Sequence, residues 1–157
     1  MPEDLASSIE SIIKRAIRWE EDSYNLYHNA LALAKNPQTR EWLKELADWE
    51  LTHKAKLEGL LKGDLNWAVR KSKREKVNDL KIGDYLVATP LNENSDFQDV
   101  LLVAMKREES AHDFYASMTE LVEEGQARSL FELLAKEELK HKQLVEKYYE
   151  EYIYKEF

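Results

Sequence analysis

Residues 46–54 read LADWELTHK, and residues 134–142 read LAKEELKHK. Each stretch lies within a long amphipathic segment, and each turns a glutamate and a histidine onto the apolar face. Glu50 and His53 in the first copy, and Glu138 and His141 in the second, fall where the pattern calls for core side chains. Residues three and four apart share one face of a helix, so the period of these stretches puts both polar groups inward.

Working outward, the two copies align without a gap at a shift of 88 residues, which also lays AIRWEEDSYNLY from Ala16 over AMKREESAHDFY from Ala104. Glu20 then matches Glu108, and Tyr27 matches Tyr115. Two helical hairpins of one type, related by a pseudo-twofold axis, are the simplest account. The cap signals bracket four helices. The first spans about Ser8 to Lys35, with Ser7 and Glu10 as a capping box, and stops at Asn36-Pro37. The second starts from an Asn36 cap and runs to about Lys62, before Gly63; the third begins after Ser95 with Gln98 and ends before Gly125; the fourth fills Ala127 to Lys155. Segments of about 26–30 residues are roughly 40 Å long. Joined in pairs by tight turns, they predict an all-α four-helix bundle: hairpins over about 8–62 and 96–155 in one domain, 1–157. The piece between them, 63–95, is too long for a hairpin and predicts one long crossover connection, with a short helix or turn near Asp84 to Ala88.

Each helix has one inward stripe. The four stripes are Ile9, Ile13, Ala16, Glu20, Ser23, Tyr27 and Leu31; Leu43, Leu46, Glu50, His53, Leu57 and Leu60; Leu101, Ala104, Glu108, Ala111, Tyr115, Met118 and Val122; and Phe131, Leu134, Glu138, His141, Val145 and Tyr148. The polar interruptions sit near each midpoint, so four carboxylates and two imidazoles are expected to meet in one layer. Four buried, ionised, unpaired carboxylates are not tolerable; they must protonate or be compensated by cations. Two divalent ions cancel four carboxylates, and neutral imidazoles complete the ligand sets. His53 and His141 are expected as terminal ligands, Glu50 and Glu138 as bridges, and Glu20 and Glu108 as terminal carboxylates. Oxygen and nitrogen donors without sulfur suit iron or manganese, with zinc a further occupant. A lone Glu-x-x-His is a weak signal: Glu109 and His112 form a third by chance. The strength lies in the repeat and the common depth.

At these residues the sequence resembles the rubrerythrin-like branch of the ferritin-like di-iron carboxylate superfamily. That branch carries A-x3-E-x2-small-x2-aromatic-Tyr followed by E-x2-H, twice. Here the copies are Ala16, Glu20, Ser23, Leu26, Tyr27 with Glu50, His53, and Ala104, Glu108, Ala111, Phe114, Tyr115 with Glu138, His141. The resemblance implies a ferritin-like bundle that holds two iron ions and oxidises Fe(II) with hydrogen peroxide or dioxygen, an oxidoreductase of the peroxidase or ferroxidase type. Two departures stand out. The chain has no cysteine, so the Cys-ligated rubredoxin domain of rubrerythrins proper is missing and any electron donor is a separate molecule. The additional glutamate usual three residues after the third helix's ligand is Ala111 here. Two other readings stay open: an iron-binding or storage protein without turnover, and a manganese catalase-like site.

Tyr24 and His112 are repeat-mates placed to flank the site, and His112 is expected to assist proton transfer to peroxide on its side. Tyr27 and Tyr115 are expected either as core filler or as a relay, Glu21 and Glu109 as surface ion pairs, and Trp42, Trp49 and Trp67 as packing or interface residues. KSKREK (71–76) reads as a solvated charge run, and YYEEYIY (148–154) as a helix edge against the connector or a second subunit. The net charge of -8 argues against nucleic acid, which demands a basic face. The chain's start lacks a signal-peptide pattern and no apolar run approaches a membrane span, so a cytoplasmic protein with no membrane partner is expected; a homodimer is one assembly it allows.

Overall fold

The structure, a computed structural model, describes residues 2–63, 96–122 and 125–156. Among them are four helices: α1 (Pro2–Ala30), α2 (Pro37–Leu61), α3 (Phe97–Thr119) and α4 (Gln126–Glu156). None is long and apolar enough to cross a membrane.

The ends show where local signals decided and where they did not. Asn36 caps α2 as expected: its side chain accepts from the Gln38 N–H at 2.8 Å, and Pro37 occupies the first turn. The expected first-helix boundaries are corrected at both ends. α1 passes straight through Ser7 from Pro2, so that capping box does not start it. Its α-helical part stops at Ala30 rather than Lys35. From Leu31 to Ala34 the N–H groups bond three residues back, a tightened terminal turn, and Arg40 Nη1 takes up the carbonyls of Leu31 and Ala34 at 2.6 and 3.1 Å. α3 is capped by Asp96, not Ser95. Asp96 and Asp99 form a reciprocal box, each carboxylate accepting from the other's N–H at 2.9 and 3.0 Å. Gly125, at φ 147, accepts the first bond of α4 from Ser129, and that backbone angle suits glycine alone.

Cross-helix contacts fix the topology. Tyr27 on α1 bonds Glu108 on α3, and Tyr115 on α3 bonds Glu20 on α1, so α1 and α3 are antiparallel. Tyr148 lies against Glu45 and Glu137 against His53, so α2 and α4 are antiparallel too. With α1 packed on α2 and α3 on α4 as antiparallel hairpins, α2 and α3 point the same way. That parallel pair is what one long crossover requires, and the architecture is an all-α, ferritin-like four-helix bundle. The connector itself, with the turn expected near Asp84 to Ala88, the KSKREK run and Trp67, lies outside the described residues.

The stripes read from the sequence are the core. Every stripe residue from Ile13 to Tyr27, Leu43 to Leu57, Leu101 to Val122 and Phe131 to Tyr148 is buried. The apolar part forms two clusters. One gathers Ile13, Leu57, Met118, Phe131 and Leu134; the other gathers Tyr27, Trp42, Leu43, Leu101, Val145 and Tyr148. Trp42 and Tyr148 stack at 4.1 Å, and Phe97 meets Tyr152 at 5.0 Å, so much of the YYEEYIY segment packs within the bundle itself. The polar layer lies between the two clusters.

Because the Asp96–Asp99 box satisfies backbone N–H groups that α3 otherwise leaves free, Asp96→Ala is expected to lower the unfolding free energy by about 1 kcal/mol, read as a reduced urea midpoint at unchanged slope.

Candidate metal centre

Glu20, Glu50, His53, Glu108, Glu138 and His141 are all at most 2 % exposed. They form three overlapping groups. Glu20, Glu50, His53 and Glu138 each offer a ligand atom within 4.8 Å of the others, as do Glu50, Glu108, Glu138 and His141. Glu50 and Glu138 belong to both of these four-residue groups, and His53, Glu138 and His141 make the third. The six residues read from the sequence are thus brought together in one buried layer.

The atoms converge without bonding one another. His53 Nδ1 lies 2.9 Å from Glu138 Oε1 and 3.6 Å from Glu20 Oε2, while His141 Nδ1 lies 3.6 Å from Glu108 Oε2 and 4.0 Å from Glu138 Oε2. Even the 2.9 Å approach lacks hydrogen-bond alignment, and both atoms at that contact are left without a partner. Among the described residues, the buried side-chain atoms with no hydrogen-bond partner are, Arg128 Nε apart, all in these six: Glu20 Oε2, Glu50 Oε1, His53 Nδ1, Glu108 Oε2, both Glu138 oxygens and both His141 nitrogens. Buried polar atoms are ordinarily paired, and an unpaired one is costly. Lone pairs gathered this closely in a dry layer are the donor set of a cation, and oxygen with imidazole nitrogen suits divalent iron, manganese or zinc. The residues present fit a pair of such ions.

Around the six, Glu20 and Glu108 are each held by a tyrosine from the opposite hairpin. Tyr27 donates to Glu108 Oε1 at 2.5 Å, and Tyr115 to Glu20 Oε1 at 2.6 Å. Burial and the nearby carboxylates push both phenols well above 10, so they stay donors. The partners of both hydroxyls are on the facing helix, which the periodicity of one helix does not give. Tyr24 stacks on His28 at 5.5 Å, and His112 Nδ1 sits 2.8 Å from the Ala135 carbonyl. Glu21 pairs with Lys54 at 3.2 Å and Glu109 with Lys142 at 3.8 Å, repeat-mates in repeat-related ion pairs.

Two residues, Glu137 and Arg107, escaped the sequence reading. Glu137 holds the outer nitrogen of His53, Oε2 to Nε2 at 2.6 Å. Its repeat-mate Trp49 instead meets His141 edge-on at 4.1 Å. Arg107, in a run that looks like surface charge, is buried: it lies 3.8 Å over the Trp19 ring and donates to Ser23 Oγ and the Trp19 carbonyl. The one available signal was the alignment itself, in which the residue just before Glu50 and Glu138 changes from Trp49 to Glu137.

Charge in the layer is managed unevenly. Burial and the neighbouring carboxylates raise Glu50 and Glu138 well above 4.5. Burial also works against the charge on Glu20 and Glu108, but the groups facing them outweigh it: Glu50, His53 and Tyr115 hold Glu20 below its ordinary value, and Glu138, His141 and Tyr27 hold Glu108 down to about 2. For His53 burial opposes the cation, yet the Glu137 hydrogen bond and the close carboxylates of Glu138 and Glu20 push it up to about 12.

In protein stripped of metal, Glu50, Glu138 and His53 therefore bind protons more tightly folded than unfolded. Stability conferred by these protons is complete below the unfolded values of 4.5 and 6.5 and is lost as pH rises, for His53 through about 12. Glu20 and Glu108 act oppositely, stabilising above 4.5, and Glu108 loses this as pH falls through about 2. Between about pH 5 and about pH 8, metal-free protein is expected to lose about 1.4 kcal/mol per pH unit for each excess proton held by the fold. Loading metal should release those protons and flatten the loss. Thermal melts across this range, with proton release read by an indicator dye, make the check.

The Rubrerythrin family profile matches residues 5–92 and 99–156, covering both hairpins. No curated protein and no solved structure compared with the chain matches it. The doubled Glu and Glu-x-x-His constellation, the bundle that buries it in one layer and the family match agree, and the chain belongs to the rubrerythrin family.

Proposed function

We propose that this chain is a single-domain, cytoplasmic dinuclear metal protein, and that its function is oxidation of Fe(II) by hydrogen peroxide or dioxygen. The observation that supports this most directly is the pair of four-residue donor groups sharing Glu50 and Glu138. In the proposed assignment Glu20 and His53 hold one ion, Glu108 and His141 the other, and Glu50 and Glu138 bridge. The chemistry that a pair of ferrous ions supplies in such a donor set is two-electron reduction of peroxide or dioxygen.

The protein's part is to position and to exclude water. Leu46 and Leu57 flank the donors of α2, and Leu134 and Val145 those of α4, each at most 1 % exposed, so the layer is sealed along the bundle axis. Tyr27 and Tyr115 fix one oxygen of Glu108 and of Glu20, leaving the other oxygen of each facing the centre. Because both phenols keep their protons, they can support negative charge on those carboxylates throughout a reaction. Electrons would come from a donor outside these 157 residues, which contain no cysteine to hold an electron-transfer iron site.

A second reading is favoured by one residue. Ala111, buried beside Glu108, occupies the place of the additional glutamate usual in the family. That favours a centre that binds iron and oxidises it slowly, an iron-binding protein without significant turnover.

Anaerobic loading with ferrous iron is expected to give about two ions per chain, and Glu50→Ala or His53→Ala to give about one or fewer. Wild-type protein that retains less than about one ion, with no further loss in either variant, would sink the dinuclear centre. Stopped-flow oxidation by peroxide then separates the readings. Repeated turnover with an added electron donor supports the oxidoreductase; a single oxidation followed by arrest supports the binding protein.

A further inference from the structure

The repeat makes the two halves of the centre equivalent in their inner donors, but the shells behind the two histidines are opposite in character. Behind His53 runs a polar chain. Its Nε2 meets Glu137 Oε2 at 2.6 Å, and Glu137 Oε1 lies 3.5 Å from Lys56 Nζ. Lys56 is about one-third exposed, so the chain reaches solvent. A shift of 88 residues carries these positions onto Trp49 and Leu144. Behind His141 the Trp49 ring lies edge-on at 4.1 Å, Leu144 packs into the apolar cluster, and Nε2 has no hydrogen-bond partner among the described residues.

A histidine that donates one ring N–H to a carboxylate is fixed in tautomer and orientation, and its other nitrogen becomes a better donor to metal. Glu137 does this for His53. It keeps the proton on Nε2, so that the nitrogen which gives up its proton to metal is Nδ1, directed at Glu20 and Glu138, where the centre lies. Among the described residues His141 has no such partner. None of them holds its tautomer, and binding metal through Nδ1 leaves a buried N–H unsatisfied by them, against the indole, which costs free energy.

We infer that the two halves of the centre load metal unequally. The half built on Glu20 and His53 binds first and tightly because Glu137 pre-orients its histidine; the half built on Glu108 and His141 is the weak, exchangeable one. This rests on the dinuclear centre proposed above and deepens it. Glu137 is a positioning residue, acting only through His53. Removing a carboxylate partner of this kind weakens metal binding by about 10- to 100-fold, and that is the gap expected between the two halves.

The test is anaerobic titration of metal-free protein with cobalt(II), followed by its visible absorption and by equilibrium dialysis. Wild type is expected to bind two equivalents in two steps about 10- to 100-fold apart. His53→Ala should remove the tight step and keep the weak one, and His141→Ala the reverse. Glu137→Ala should weaken the first step until the two merge, and Glu137→Asp should restore part of the separation, which a merely structural change would not do. Glu137 is partly exposed, and circular dichroism of each variant verifies the helix content. Two unresolved equal steps in wild type, or an unchanged first step in Glu137→Ala, would overturn the inference while leaving the dinuclear centre intact. Failure of wild type to bind any cobalt would instead overturn the centre, and the inference with it.

Discussion

Four carboxylates packed into one layer of a dry core set the terms for the rest of this structure. Ordinary bundle packing has no use for them, since each buried charge carries a large desolvation cost and like charges add to it. The core around the layer is arranged as if its contents were fixed in advance. Two apolar clusters close it from either end, two phenols reach in to hold one carboxylate each, and the remaining oxygens and nitrogens converge without bonding one another. A bound cation would answer most of this at once: it would neutralise charge, give partners to the orphaned carboxylate oxygens and to the ring nitrogens that face the layer, and replace the protons that Glu50, Glu138 and His53 otherwise retain.

The same layer bears on the twofold design. The proposed dinuclear centre would need two private ligand sets and two shared carboxylates, which duplication of a single hairpin provides. The reciprocal bonds Tyr27 to Glu108 and Tyr115 to Glu20 tie each hairpin's terminal carboxylate to the other hairpin. Neither half can build the centre alone, so the site and the docking of the two hairpins are one structural event. The symmetry is then broken by substitutions just outside the donors: Glu137 against Trp49, and Arg107 stacked on its own repeat-mate Trp19. Asymmetry of this kind leaves the geometry of the donor set alone and changes what backs it. Tyr24 and His112, the unequal repeat-mates that the alignment singled out, contact His28 and the Ala135 carbonyl.

The sequence alone determined which residues face inward and at what depth they meet. Helix geometry is rigid enough that residues three and four apart must share a face, so the stripes from Ile13 to Tyr27 and from Leu101 to Val122 could be read directly, polar interruptions included. The parallel course of α2 and α3 was legible for a similar reason: a 33-residue connector (63–95) is far too long for a hairpin turn. Local capping was legible only in part. Asn36-Pro37 carried its own signal, whereas Ser7 looked like a cap and was passed over, and the true cap of α3 lay one residue beyond Ser95 at Asp96. Caps compete with their neighbours, and differences of about 1 kcal/mol decide between adjacent candidates. What only the tertiary structure decided is the pairing across helices: Tyr27 with Glu108 rather than with its own helix's glutamate, Glu137 behind His53, and Arg107 drawn inside onto Trp19. Those contacts depend on the rotation and axial offset of one helix against another, and the periodicity of a single helix contains neither quantity.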